Sequence, residues 1–257
     1  MRLVRAAGLA WLMLAPGVAA AADVAKITEC MRANVPQTVR IQTVEVAARD
    51  RTGGERLLKG RMFGTRENDR VRVMLRIEAP PDLSGAAYLV READPADEMY
   101  MYLPSVNKVR RITGGAMDGK LWGTDLSYND LKQIQNAFSA GTTVAEADGQ
   151  IEGRPVHVLR FTPRAQEPSR YATVRAHVDQ KTCVALRVEF FEGGSVRKEA
   201  TVPAKSLKQS GKLWYASEAL MRDLKDGTQT TVRVLGVTSG DKLSSRYFNP
   251  TQFYLGN

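Results

Sequence analysis

Cysteine and histidine are scarce: the 257-residue chain has only Cys30, Cys183, His157 and His177. Neither histidine has a partner at metal-ligand spacing, and His177 falls on the polar side of its strand, so no zinc site and no other cofactor is expected. The alternation of strand and helix that builds a parallel sheet is missing, as is any Pro- or Ser-rich linker. Acidic side chains are in the minority, with 37 Lys and Arg against 28 Asp and Glu and a formal charge of +9.

Only the N-terminus carries a long apolar run. Met1-Arg2-Leu3-Val4-Arg5 is cationic, residues 6–18 are apolar, and Ala19 to Ala22 are small. This is the pattern of a secretory signal removed near Ala22. The run is shorter than the roughly 20 residues of a spanning helix, and no cysteine lies nearby to carry a lipid. Residues 1–22 are therefore read as signal and 23–257 as one mature domain in the periplasm. Losing Arg2 and Arg5 takes the charge from +9 to +7, still basic enough to favour anionic membrane surface or acidic partners. Export argues against nucleic acid. In an oxidising compartment Cys30 and Cys183 either form one long-range disulfide or stay as two buried thiols.

The spacing of Val24, Ile27 and Met31 predicts an amphipathic helix over 23–34, ended by Pro36. The period then changes to two. Val39 and Ile41 fall out of phase with Val44 and Val46, which predicts a bulge between the pairs. Residues 70–78 alternate most clearly: Val71, Val73, Leu75 and Ile77 share one face, and Arg70, Arg72, Arg76 and Glu78 the other, with Met74 out of pattern. Further strands are expected over 57–63, 86–91, 99–103, 108–112, 142–147, 156–161, 171–178, 183–191, 196–202, 213–220 and 230–237. Ser127-Tyr128-Asn129-Asp130 resembles a capping box ahead of Leu131, Ile134 and Phe138 at helical spacing. About a dozen strands with two short helices predict a mainly β, antiparallel fold, a strongly curved sheet or open half-barrel with helices over an apolar cavity.

Motifs for catalysis are incomplete. Residues 114–120, GGAMDGK, have the glycine and lysine spacing of a phosphate loop, but Leu121 follows where Ser or Thr should stand. Ser105 and Lys108 have the spacing of a serine acyl-enzyme, yet that serine belongs at the start of a buried helix and here sits in a turn between strands, and no Lys-Thr-Gly accompanies it. Carboxylates that could pair, Asp125 with Asp130 and Asp97 with Glu98, lack a visible cleft, and helix capping accounts for Asp125 and Asp130 more simply. No enzyme is expected.

Residues 102–115, YLPSVNKVRRITGG, suggest a binding role instead. Met99, Met101 and Leu103 give a soft apolar strand face, while Lys108, Arg110 and Arg111 lie beyond its end. Such a strand could hold an apolar tail inside a cavity and an anionic group at the rim. The expected lining is Val71, Val73, Leu75, Ile77, Met99, Met101, Leu103, Val184, Leu186, Val188 and Phe190, and the expected rim or partner contacts are Lys108, Arg110, Arg111, Trp122 and Tyr128.

The order MYMYLPSVNKVRRI (99–112), a glycine-rich segment, then LWGTDLSYNDL (121–131) resembles the periplasmic outer-membrane lipoprotein-sorting (LolA-like) family, in the branch found beside RND-type transporters. The positions that carry the resemblance are Tyr102, Leu103, Pro104, Arg110, Arg111, Trp122, Gly123, Asp125, Tyr128 and Asp130; RYFNPTQFYLG near the C-terminus agrees more loosely. The resemblance implies a half-barrel of roughly eleven strands and no catalytic residues. It implies a carrier that takes a lipid, a lipoprotein acyl chain or another apolar molecule from an inner-membrane transporter to an outer-membrane acceptor. The alternative is a periplasmic module that docks on an RND-type transporter and binds no lipid.

Overall fold

The computed structural model describes residues 23–93, 97–135, 141–164, 169–240 and 245–255. The expected signal, and Phe138 in the second predicted helix, lie outside the described residues. Among the described residues the α-helices are α1 (Val24–Ala33) and α2 (Tyr128–Gln135). The strands are β1 (Arg40–Arg49), β2 (Glu55–Glu67), β3 (Arg70–Ala79), β4 (Ala87–Arg91), β5 (Glu98–Leu103), β6 (Lys108–Arg111), β7 (Gly141–Ile151) and β8 (Arg154–Pro163). They continue with β9 (Thr173–Asp179), β10 (Ala185–Glu192), β11 (Ser195–Thr201), β12 (Leu207–Ser210), β13 (Leu213–Ala216), β14 (Glu218–Asp223) and β15 (Thr228–Ser239).

Thirteen strands make one antiparallel sheet in the order β6-β5-β4-β3-β2-β1-β15-β14-β11-β10-β9-β8-β7, and β12 pairs only with β13. The expectation of roughly eleven strands in a strongly curved half-barrel is corrected here: the sheet is wider, open and not strongly curled. Its apolar inner face is covered by other parts of the chain, so burial does not require the ends β6 and β7 to close on each other. The predicted strand over 213–220 also divides at Ser217, with β13 leaving the main sheet and β14 staying in it.

Local chemistry sets the register. Asn68-Asp69, Glu152-Gly153 and Gly193-Gly194 each place two consecutive residues at positive φ, the two-residue turn whose twist matches a hairpin. The bulge expected in β1 is not there: β1 pairs with β2 without a shift from Arg40 to Arg49. Val39 and Ile41 are out of phase with Val44 and Val46 because they pack on the outer face. The irregularity opposite Thr43 and Val44 leaves Leu235 of β15 as the extra residue. Asp23 caps α1 by accepting from the Ala25 and Lys26 amides. At α2, Ser127 Oγ accepts from the Asp130 amide at 3.0 Å and Asp130 Oδ2 accepts from the Ser127 amide at 2.8 Å, a reciprocal box.

The inner face is apolar on both halves. On one half Leu159, Phe161, Val174, Ala176, Val188 and Phe190 pack with Ile27 of α1. On the other, Tyr88, Val90 and Met99 pack under Leu121 and Tyr128, and Val46, Leu58, Ile77 and Ala86 under Trp122. The outer face of β2–β5 is not fully wet, as the arginine alternation of β3 suggested. Phe63, Met74, Ala87 and Leu89 are buried there beneath Tyr247, Phe248 and Phe253. The segment 245–255 thus accounts for Met74, and the Arg76 guanidinium donates to the Tyr254 carbonyl.

Candidate functional site

Two pieces of chain cross the inner face, each reaching both halves of the sheet. The first is α1. Cys30 is disulfide-bonded to Cys183 in the turn between β9 and β10, and Asn34 Nδ2 donates to the Thr182 carbonyl at 2.8 Å. On the other side Arg32 makes a two-point ion pair with Glu92, at 3.0 and 2.9 Å, just after β4. The thiols are therefore joined, which decides between the two readings left open by the sequence.

The second strap is the segment 112–135, which contains LWGTDLSYNDL. Its apolar side chains bind the β3–β5 half: Tyr128 packs on Tyr88 with ring centroids 5.1 Å apart, and Ile112 and Leu121 join the same cluster. Its polar side chains bind the other half. Lys198 of β11 extends Nζ to Asp130 Oδ2 at 2.7 Å and to the Asp125 carbonyl at 2.6 Å. Tyr171 donates to Asp130 Oδ1 at 2.7 Å. Thr228 and Thr230 of β15 donate to the Asp125 carboxylate, the latter at 3.0 Å, and the Asp125 amide donates back to Thr230 Oγ1 at 2.8 Å.

Both partners of the ion pair are essentially removed from water, Lys198 at 1% exposure and Asp130 at 0%. Burial, then the charge of Asp130, holds the Tyr171 hydroxyl far above its ordinary range. Burial alone pushes Tyr128 up to about 12, so the phenols of this face stay neutral. Capping explains Asp130, as expected, but Asp125 instead fastens the strap to β15. The other carboxylate pair is also engaged: Asp97 accepts from the Ala93 amide and Glu98 from Arg91.

The expected lining divides into two groups. Val71, Val73, Leu75 and Ile77 of β3 share the inner face with Met99, Met101 and Leu103 of β5, as fixed by the pairing Leu75 with Tyr88 and Tyr88 with Met101. Leu75, Met101 and Leu103 are only half-buried, and the other four are buried. In the second group Val188 and Phe190 lie on the inner face under α1, and Val184 is half-buried in the turn beside Cys183. Leu186 does not share that face. An irregularity between Ala185 and Arg187 turns it outward, to pack with Val156 and Val158.

Of the expected rim residues, Lys108, Arg110 and Arg111 are exposed on β6, a terminal strand of the sheet. Among the described residues no carboxylate pairs with them. Tyr128 and Trp122 lie inward, in the clusters under the second strap. Lys198, Tyr171, Thr228 and Thr230 were not expected. One signal existed for Lys198, which stands in the apolar phase of its strand between Val196 and Ala200. A polar cleft of about 270 Å³ opens beside Asp125, lined in part by Arg49, Glu55, Arg56, Lys120 and Thr228.

No curated protein matches the chain. Among solved structures, a DUF1329 family protein from Desulfovibrio piger superposes with a TM-score of 0.79 at 17% identity, covering 88% of this chain and 95% of that one. An outer membrane lipoprotein-sorting protein domain from Vibrio parahaemolyticus gives 0.80 at 22% identity, over 90% of this chain and 100% of the other. A LolA superfamily protein from Nitrosomonas europaea gives 0.69 at 18%, over 88% and 97%. At these identities the likeness is one of fold, the wide antiparallel sheet with few helices. A family model described as an uncharacterized protein family matches residues 69–254, most of the sheet together with the second strap, and the chain belongs to that family.

Proposed function

We propose that the protein is a periplasmic carrier that shelters a lipid, a lipoprotein acyl chain or another apolar molecule on its inner face and moves it between the inner and outer membranes. The observation that carries this reading is the half-buried apolar row Leu75, Met101 and Leu103, with Met62 and Trp122, on a sheet face spanned by two straps. The row keeps partial access to solvent beside a face whose other apolar side chains are largely buried. The disulfide fits export to an oxidising compartment, in keeping with the signal-like N-terminus. The exposed cations Lys108, Arg110 and Arg111 form the docking element, suited to an anionic membrane surface or to acidic side chains of an inner-membrane partner, an RND-type transporter by the likeness of the 99–131 motif.

Affinity for such cargo is easily reached. Burying about 16 methylenes at roughly 0.8 kcal/mol each gains on the order of 10 kcal/mol. Release is the harder step, so transfer runs downhill to a better apolar acceptor or is driven by the upstream transporter. The inner-face residues hold and desolvate the cargo, and no bond is made or broken.

The test is organic extraction of the purified protein followed by mass spectrometry. Lipid is expected from the wild type and not from Leu75→Glu or Met101→Glu, each of which places a charge in the row. Protein that is free of lipid after gentle purification, and takes up none from vesicles, overturns the carrier reading. If that protein still binds a transporter's periplasmic domain, docking without cargo replaces it.

A further inference from the structure

Trp122 combines three features that core packing alone does not explain. Its backbone is left-handed, with φ of 47°, a region that bulky residues avoid. Its indole contributes to two apolar clusters of the inner face, one built around Tyr88 and Met99 and the other around Leu58 and Ile77. Its ring N–H is buried and has no acceptor among the described residues. An indole N–H withdrawn from water ordinarily finds a partner.

The unusual backbone is imposed by neighbours. The Leu121 amide donates to the Leu126 carbonyl at 2.8 Å, the Thr124 amide to the Leu121 carbonyl at 2.9 Å, and Thr124 Oγ1 to the same carbonyl at 2.7 Å. Lys120 and Ser127 pair as a bridge at the base of this loop. The loop is itself anchored by Asp125 and Asp130, so it sets the indole on the inner face. Preceding it, residues 113–119 carry Gly114, Gly115 and Gly119; the Ala116 and Gly119 amides donate to the Thr113 and Ala116 carbonyls, Met117 packs on the inner-face cluster, and Asp118 accepts from Asn129 at 3.3 Å. The three glycines leave the approach to the ring free of side chains at those positions.

We propose that the Trp122 ring N–H donates a hydrogen bond to the ester carbonyl of an acyl lipid, fixing the head end of the chain while the tail lies along Leu75, Met101 and Leu103. The inference rests on the carrier reading and sharpens it. The carrier selects acyl esters, not simply apolar bulk. Satisfying a buried donor is what separates the two classes of cargo, since an ether oxygen is a poor acceptor and an alkane none.

The experiment uses the mature, delipidated protein and two probes of equal chain length, a diacyl phosphatidylglycerol and its dialkyl ether analogue. The wild type is expected to bind the ester about 5- to 10-fold more tightly, the ratio of one net hydrogen bond. Trp122→Phe, which keeps an apolar ring and removes the donor, is expected to bind both with the wild type's ether affinity. In the wild type labelled with 15N-tryptophan, the Trp122 indole resonance is expected to move downfield with the ester and much less with the ether, a readout that needs no variant. Equal binding of the two probes by the wild type, or a preference that persists in Trp122→Phe, overturns the hydrogen bond and leaves carriage standing. Failure to bind either probe overturns this proposal, and the extraction and vesicle-uptake result then decides the carrier reading separately.

Discussion

The two straps over the inner face do similar work with opposite chemistry. α1 is short and largely exposed, with Ile27 as its single buried residue, and a covalent bond from Cys30 to Cys183 holds it down. The segment 112–135 has no covalent tie and is held by buried charge: Asp130, Lys198, Asp125 and Thr230 are all at least 97% removed from solvent. A disulfide restrains without having to be dry, because it does not compete with water. An ion pair in this setting is strong only while both ends stay matched and dry. The difference is one of anchorage: the first strap is tied at Cys30 and the second at Asp125 and Asp130, while the glycine-rich residues 113–119 at the start of the second strap carry neither kind of tie.

The sharpest way to break the comparison is to unmatch the buried pair. Lys198→Met leaves Asp130 with Tyr171 and the Ser127 amide but no cation. The expected loss is about 3–5 kcal/mol in denaturant unfolding, the cost of stranding a buried charge. Adding Asp130→Asn in the same chain should recover part of it, because the stranded charge is gone. A loss below about 1 kcal/mol for Lys198→Met would mean that water reaches the pair and that the second strap is held by its apolar side alone.

The matching experiment on the first strap replaces Cys30 and Cys183 together by serine. The closed loop is long, so about 2–4 kcal/mol should be lost, most of it through greater freedom of the unfolded chain. The regional readout is sharper than the global one. Amide exchange should accelerate in α1 while the amides of 121–131 keep their protection. If both regions lost protection equally, the straps would form one cooperative unit and the contrast between them would fail.

What the sequence revealed follows the range of the physics involved. The helix over 23–34, the capping box at 127–130 and the alternation of β3 all arise from neighbours a few residues apart, and each is found where the pattern placed it. The phase change between Ile41 and Val44, by contrast, was read as a bulge in β1 and is instead a switch of faces. Met74 was visible as an exception but not as a contact, because its partners Phe248 and Phe253 come from the far end of the chain. Leu186 obeys the alternation on paper and breaks it in space, because a bulge between β9 and β10 depends on how two strands pair and not on either alone. The candidate site shows the same division. Asp125 and Asp130 were marked by their motif, whereas Lys198 was visible only as a cation in an apolar phase, and the threonines of β15 left no mark. The straps replaced the curl expected of the sheet, since covering a face and rolling it up both bury it.

The smallest effect concerns the platform on which α1 lands. The turn from β9 to β10 is organised by Asp179, which accepts two bonds from Arg154, at 2.7 and 2.8 Å, and two from Thr182, at 2.8 and 2.7 Å. Burial pushes the Asp179 carboxyl up, but the hydrogen bonds from Arg154 and Thr182 outweigh it and hold the group below its ordinary value of 3.8. A carboxyl depressed in the folded state contributes stability that is complete above its unfolded pKa and fades as pH falls through the folded one. Asp179→Asn should therefore cost about 1.5–3 kcal/mol at pH 7, and the gap to the wild type should narrow once the pH drops below 3.8. Unfolding midpoints across that range measure it. A gap that stays constant down to the acid limit would show that the carboxylate's charge plays no part in the platform. The disulfide and the bond from Asn34 to the Thr182 carbonyl would then hold α1 at that end without help from the carboxylate's charge, and the contrast between a covalent strap and an electrostatic one would be sharper still.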